Sequence, residues 1–399
     1  MAVTLQQESN GVPRITPACP YVGACGGCQL QDLAYDDQAR FKHQQVQQLL
    51  GSLAPKLAVE FIACEDPWRY RNKAELSFGM VEGQVVVGFH AARSFARIVQ
   101  VDECLLVPES FAPIWQDVQR LARQTGESAY HPRTHQGVFR YLVLRQSRAT
   151  GQILALIVTA PADQAMLQAM AQALAHRHPQ IASVYWGTTA RLADVSTPEQ
   201  LTLLHGQPDL EEQIGPFRIR VHPLTFLQPN LRQAERLYTT LTEWIVGDRS
   251  KIAWDLYCGV GLVGMYLADR FAQVYGIDVD VHNLALARAN AATNGFANLQ
   301  FHAGSAEEVL ANKRFWLLEA KPDVVVVDPP RAGLHPRVIS AILGARPRQL
   351  VCVSCNPQVL ARDLQQLTHG FPRYRLTRAA AFDLFPQTTH VEVAVLLER

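Results

Sequence analysis

The sequence predicts an α/β protein: a parallel, doubly wound sheet in its C-terminal part, preceded by a β-rich region and a short cysteine-bearing N-terminus. Three observations carry this expectation. From Lys251 onward, short apolar runs alternate with helical stretches of about ten to fifteen residues, the rhythm of strand–helix–strand units. Upstream, pairs of alternating runs are joined by short polar turns, the pattern of antiparallel hairpins. At the start, Cys19, Cys25 and Cys28 crowd one glycine-rich stretch, a poor disulfide framework and a better metal or cluster site.

The chain has 399 residues, which suggests roughly two to three domains. Segments 1–58, 59–225 and 226–399 are the expected divisions. With 48% hydrophobic and 18% charged residues, the chain can bury a core, and wholesale disorder is excluded. A net charge of +1 excludes gripping a polyanion by bulk charge, so any nucleic-acid contact needs a local basic surface. No apolar run reaches the roughly 18–20 residues that span a bilayer, and the N-terminus lacks a secretory pattern. A cytoplasmic protein with reduced thiols is therefore expected, without membrane contact, with no protein partner implied, and monomeric.

Residues 1–18 read as a polar lead-in, followed by the knuckle CPYVGACGGCQLQ (19–31). Helical spacing through Leu33, Phe41, Val46 and Leu50 predicts a helix that Gly51 stops. In 59–225, AELSFGMVEGQVVVGFH reads as a hairpin turning at Glu82-Gly83, and residues 137–160 repeat the form around Ala149-Thr150-Gly151. Helical patches lie near 108–124 and 162–177. Strand candidates then follow at 251–258, 273–278, 299–303, 323–328 and 349–354, with a helix over 281–294 and two antiparallel strands around a Phe-Pro-Gln-Thr turn at the end.

The first strand of the alternating part ends in Asp255-Leu256-Tyr257-Cys258-Gly259-Val260-Gly261. Glycines there let the chain turn sharply and let a ligand approach the backbone. The second strand ends in Asp278, whose carboxylate can accept from a ribose diol. Strands four and five end in Asp328-Pro329-Pro330-Arg331 and Ser354-Cys355-Asn356-Pro357. Ligands of open α/β sheets bind beyond the carboxyl ends of the strands, so these motifs share one crevice. Cys355 is the candidate nucleophile and Glu392, in Pro386-Gln387-Thr388-Thr389-His390-Val391-Glu392, the candidate base.

Together WDLYCGVG, DPPRAGL, VSCNP and FPQTTHVE resemble the RNA uracil-C5 methyltransferases, from about Cys19 to the C-terminus. The resemblance implies a Rossmann-like methyltransferase domain dependent on S-adenosylmethionine. It implies that Cys355 adds to uracil C6 and Glu392 accepts the C5 proton. It assigns methyl-donor contacts to Gln228, Tyr257, Gly259, Gly261, Asp278 and Asp328, and sets Phe226 against the target base. Ser305 stands where an acidic residue usually reaches the adenine.

Cys19, Cys25 and Cys28, with Cys104 as fourth thiolate, suit zinc or an iron–sulfur cluster by spacing alone. The resemblance selects a 4Fe-4S cluster, as in the ribosomal members. Only eighteen residues precede Cys19, which leaves no room for the N-terminal β-barrel (TRAM) module of the longer branch. The expected partner is therefore 23S rRNA. Trp68-Arg69-Tyr70-Arg71-Asn72-Lys73 mixes aromatic and basic side chains, as single-strand RNA contacts do, and Arg93, Arg97, Arg133 and Arg140 extend that surface. The competing readings are a tRNA uracil-C5 methyltransferase and a non-catalytic RNA-binding or zinc-ribbon protein on the same scaffold.

Overall fold

A computed structural model describes residues 12–94, 96–193, 195–312, 321–371 and 373–399; most of the expected lead-in lies outside them. Contacts divide the chain into two units. One takes the residues up to Phe41, Glu65–Leu210 and Phe385–Thr389; the other takes Lys42–Cys64, Glu211–Leu384 and His390–Arg399. Helix α1 (Tyr35–Gly51) spans the first change of unit and strand β1 (Val59–Ile62) follows it. The helix runs through Gly51 rather than stopping before it. It closes where the amides of Leu53 and Ala54 return to the Leu50 carbonyl.

The first unit contains β2 (Lys73–Val81), β3 (Gln84–His90), β4 (Ile98–Gln100), α2 (Phe111–Thr125), β5 (Phe139–Gln146), β6 (Ile153–Thr159), α3 (Gln164–Arg177), β7 (Ile181–Thr188) and β8 (Gln200–Gly206). Its sheet runs β4-β3-β2-β5-β6-β7-β8. Neighbours are antiparallel except β6 and β7, which are parallel and joined through α3, as a parallel pair requires a crossover. The β2–β3 hairpin turns at Glu82 and Gly83, as expected, both at positive φ (50° and 75°), the conformation that matches strand twist in a two-residue loop. Ile114, Trp115 and Val118 of α2 and Leu167, Met170 and Leu174 of α3 share a core with Leu142, Leu144 and Ile157.

The second unit continues with the pair β9 (Leu210–Ile214) and β10 (Phe217–Val221), then α4 (Leu231–Trp244), β11 (Asp248–Leu256), α5 (Leu262–Ala268), β12 (Phe271–Asp278), α6 (Val281–Thr293), β13 (Leu299–Ala303), α7 (Ala306–Ala311), β14 (Val324–Val327), α8 (Pro336–Ala345), β15 (Gln349–Ser354), α9 (Pro357–His369), β16 (Arg375–Phe382) and β17 (Glu392–Glu398). The main sheet runs β1-β16-β17-β15-β14-β11-β12-β13. Strands β11 to β15 are parallel, and β17 is antiparallel to both its neighbours. Val324–Val327 and Gln349–Ser354 are buried along their whole length, the continuous apolar reading of a parallel strand covered on both faces. Strand β1 pairs in parallel with β16, so the first run of the expected β-rich region belongs to this sheet instead. No helix among the described residues is long and apolar enough to cross a membrane.

One buried ion pair anchors the end of β16. Lys42 Nζ donates to Asp383 at 2.7 Å, with both side chains fully buried. Removing one partner of such a pair leaves an uncompensated charge, which costs about 3–5 kcal/mol. Asp383→Ala is therefore expected to lower the unfolding midpoint sharply in a denaturant titration. Replacing Lys42 by Met in the same chain should restore much of the loss.

Candidate active site

Strand order reverses between β11 and β14, where the chain runs outward to β13 on one side and to β15 on the other. Such a switch point opens a crevice at the carboxyl ends of the strands. Tyr257, Asp278, Asp328 and Cys355 follow or close β11, β12, β14 and β15 there. Strand β17 enters from the opposite direction, so its first residue, Glu392, lies at the same edge. Ser354 pairs with Val393, and the antiparallel register sets Cys355 across from Glu392. Reversal of one strand thus brings residues from separate motifs side by side.

The turn after β11 is built from left-handed residues: Tyr257 (φ 66°), Gly259 (φ 52°) and Gly261 (φ 83°). A positive φ at the non-glycine Tyr257 is costly and marks a backbone held by its surroundings. The amides of Tyr257 and Cys258 both donate to the Ile277 carbonyl, at 2.8 and 3.0 Å. Gly259 N–H donates to Asp278 at 2.8 Å, and Asp280 N–H to the other Asp278 oxygen at 2.9 Å. A Cβ at Gly261 would press on Phe301 at 3.0 Å, whereas one at Gly259 would meet no atom within 4 Å. Gly261 is thus required by packing, while Gly259 borders open space. Asp255 is buried and accepts from Gly264 N–H at 2.9 Å. Burial, with Asp328 and Asp278 nearby, pushes its carboxyl up to about 8 despite that bond.

Beside Asp278, Val279 and Val281 are exposed at 71% and 59%, giving the crevice an apolar lip. Ser305 accepts from Glu308 N–H at 3.3 Å and so caps α7. Gln228 is buried and Phe226, two residues earlier, is 68% exposed, an unusual outward position for a large aromatic ring. Asn230 caps α4 just beyond them.

At the other end of the crevice, Ser354 and Asn356 shape the bend that carries Cys355. Asn356 N–H donates to Ser354 Oγ at 3.1 Å, and Asn356 Oδ1 accepts from Val359 N–H at 3.4 Å. The Cys355 thiol is half-buried. Burial raises its pKa first, then the negative potential of Glu392 and Asp328, while a hydrogen bond and the charge of Arg331 oppose them. Glu392 is buried, and burial and Asp328 raise its carboxyl well above the usual range, with Arg331 again opposing. Burial lifts Asp328 to about 6. Tyr238, on α4, is raised by burial and by the same carboxyls, Asp328 and Glu392.

Sequence reasoning left Arg331 without a role here, although it directly follows the two prolines of its motif. Its loop is tied to α9. Leu334 N–H donates to the buried Asp363 at 2.7 Å, and Arg362 donates to the Ala332 carbonyl at 2.9 Å. Gly333 is at φ 82°, and a Cβ there would come within 2.4 Å of Asp363. Asp363 therefore fixes the turn that presents Arg331, a contact with no signature in local sequence.

Comparison with known proteins bears on this arrangement. Residues 216–399 match the family described as tRNA (uracil-5-)-methyltransferase. An uncharacterized RNA methyltransferase of Halalkalibacterium halodurans is 34% identical over 96% of this chain and 84% of its own length. The chain belongs to the RNA uracil-C5 methyltransferase family. A second uncharacterized RNA methyltransferase of this kind, from Chlorobaculum tepidum, is 33% identical over 97% of the chain and 83% of its own length. Among solved structures, the tRNA (uracil-54, C5)-methyltransferase of Pyrococcus abyssi, in complex with S-adenosyl-L-homocysteine, has a TM-score of 0.75 at 30% identity. The match covers 93% of this chain and 85% of that one.

The remaining expectations for this family member fall in the first unit. The knuckle is pinned to the end of β3: Gly26 N–H donates to the His90 carbonyl at 3.0 Å and Ala92 N–H to Ala24 at 2.9 Å. Shielding from water raises the thiols of Cys25, Cys28 and Cys104, Cys28 to about 11, and the neighbouring thiols, Cys19 among them, add to it. The four sulfurs therefore share one neighbourhood. Among the described residues, however, no group of three or more His, Cys, Asp or Glu side chains closes around a position for a metal ion, so the expected metal centre is not an assembled ligand shell here. Cys64 belongs to the other unit, where it accepts from Asn230 at 3.4 Å.

In the aromatic and basic stretch 68–73, Arg69, Tyr70 and Lys73 have partners within the chain. Arg69 donates to the carbonyls of Cys104 and Val107, at 2.7 and 3.0 Å, and pairs with Glu103. Tyr70 donates to the Pro386 carbonyl at 3.1 Å, and Lys73 pairs with Glu75. Arg140 is buried as well, whereas Arg93, Arg97 and Arg133 are exposed. The FPQTT segment ahead of Glu392 is also clamped within this unit. The Gln387 carbonyl accepts from Gln29 and Leu30 amides, and its own amide and side chain bond to Gln38.

Proposed function

We propose that this protein methylates C5 of a specific uridine in 23S rRNA, using S-adenosylmethionine and forming 5-methyluridine. The observation that carries the reading is the half-buried Cys355 thiol set across from the buried Glu392 carboxyl. Cys355 Sγ bonds to C6 of the pyrimidine, which makes C5 nucleophilic. C5 takes the methyl group from the sulfonium donor, Glu392 takes the C5 proton, and the sulfur departs. The donor would lie against Gln228, Tyr257, Gly259, Gly261, Asp278 and Asp328, with the exposed Phe226 against the target base. The open space at Gly259 and the apolar lip at Val279 and Val281 support that placement.

Asp278 holds the turn and would hold the donor's ribose diol. Asp278→Ala is expected to weaken S-adenosylmethionine binding by roughly 10- to 100-fold, the loss of hydrogen bonds to a charged group, measured by calorimetry. Arg331→Met should raise the Cys355 pKa, because the arginine's charge and hydrogen bond hold it down. The acid limb of kcat/KM would then move to higher pH. A shift of about one unit makes the variant about tenfold slower on that limb, with the rate regained as pH rises.

The target within RNA rests on Cys19, Cys25, Cys28 and Cys104, the thiolate set whose resemblance to the ribosomal members implies a 4Fe-4S cluster with a structural role next to β3. When bound, that group supplies a cross-link and no chemistry to the methyl transfer. Similarity to a tRNA enzyme favours a second reading, a tRNA substrate. Offering tRNA and 23S rRNA from an unmodified host side by side, with labelled methyl donor, separates them. Label in one position of 23S rRNA, mapped by primer extension, is the expected result; label in tRNA alone would overturn the assignment.

A further inference from the structure

The first unit contains a cavity of about 360 Å³ between the β2–β3 hairpin, β5 and the segment 129–132. Its walls include Met80, His90, Arg97, Tyr130, His131 and Arg140, and no acidic side chain among the described residues lines it. Arg140 is 97% withdrawn from solvent. Two of its nitrogens donate to the carbonyls of Arg191 and Ala193, at 2.7 and 2.6 Å, and its guanidinium lies 4.1 Å over the Tyr130 ring. Its Nε–H is buried without an acceptor, and Nδ1 of His90, whose Nε2 meets Ser77 Oγ at 2.8 Å, is buried without a partner. Buried polar atoms are rarely left unpaired, and a buried cation wants an anion or strong acceptor beside it. Two lining residues thus carry unmet hydrogen-bonding capacity in a cationic, aromatic cavity.

We propose that this cavity takes one unstacked nucleotide of the RNA substrate, distinct from the uridine that is methylated. A planar base suits the aromatic walls, its ring nitrogens, carbonyls and amino groups supply an acceptor for Arg140 and a partner for His90, and its phosphate suits Arg97 and His131. The volume suits a single small ligand, and splayed-out bases are the usual currency of RNA recognition. The site deepens the reading of the protein as an RNA methyltransferase and rests on it for the identity of the ligand.

Photo-cross-linking tests it on the full chain. 23S rRNA transcripts carrying 4-thiouridine, 6-thioguanosine or 8-azidoadenosine are irradiated with the protein, and the attached peptides are mapped by mass spectrometry. A cross-link within 77–98 or 129–141 is expected, lost in Tyr130→Ala. Tyr130→Ala and Arg97→Ala should each raise KM for RNA about tenfold, with kcat within twofold and donor affinity unchanged, and Tyr130→Phe should restore KM. An RNA that is methylated without cross-linking there, or an unchanged KM in both variants, overturns the proposal while leaving the enzymatic reading intact. Cross-linking at these peptides without methylation of any uridine supports the cavity and removes the enzymatic reading instead.

Discussion

Cys355→Ala is expected to abolish methyl transfer, by about 10⁴-fold or more, the scale seen when a covalent nucleophile is removed. Uracil C5 is a weak nucleophile, and only addition at C6 pushes electron density onto it. No other thiol among the described residues is half-buried at the carboxyl edge of the catalytic sheet: Cys258 and Cys352 are buried, and burial raises both thiols far above the usual range. The electrostatics of Cys355 suit attack rather than storage of charge. Burial, Glu392 and Asp328 all disfavour its thiolate, and Arg331 partly offsets them. Attack converts that disfavoured anion to a neutral thioether and moves the charge onto the ring. Because the Cys355 pKa is raised, kcat/KM should climb with pH through and above neutrality, as more of the thiol ionises. The check is an RNA containing 5-fluorouridine at the target position, which should give a denaturation-stable adduct at Cys355 and none in the alanine variant. Donor binding should survive the substitution, since Cys355 takes no part in the turn at Gly259.

The parts of this arrangement that sequence could show are those with a local signature. The run 349–354 coincides with β15, because a strand covered on both faces must be apolar throughout, and the run 299–303 coincides with the edge strand β13, which buries Leu299 and Phe301 and exposes Gln300 between them. The β2–β3 hairpin was legible because Glu82-Gly83 is a turn of known chemistry. By contrast, Val59–Ile62 is four residues long, and its partner β16 lies at the far end of the chain, so nothing local assigns it to the second sheet. The arginine at 69 shows another limit. Mixed basic and aromatic residues look alike whether they face RNA or cap carbonyls, and Arg69 spends its donors on Cys104 and Val107. At the site, the proposed reacting pair is visible in two motifs, but the register that opposes them depends on β17 running against β15. Arg331 and Asp363 became visible only through their contacts.

Glu392→Gln separates the two halves of the reaction. A glutamine keeps the shape of the side chain and cannot take the C5 proton. Turnover is expected to fall by about 10²- to 10⁴-fold, the range supplied by a positioned general base. Addition and methyl transfer precede proton removal, so they should still occur once per enzyme. The variant should therefore accumulate a covalent RNA–protein species that carries the labelled methyl group and persists on a denaturing gel. Asp328 is the other carboxyl near the thiol, and its motif ends β14, which flanks β15 on the side opposite β17. If the base were Asp328, Glu392→Gln would turn over with near-normal rate and Asp328→Asn would accumulate the methylated adduct. The raised pKa of Glu392 also fits its task. A carboxyl that resists ionisation in the free protein is a stronger base when the ring has displaced water and the thiolate charge has left Cys355. The same burial predicts that removing the charge at 392 will not unfold the protein. Glu392→Gln eliminates a desolvated carboxyl that Asp328 already disfavours, so its unfolding midpoint should match or exceed that of the parent while its product release fails.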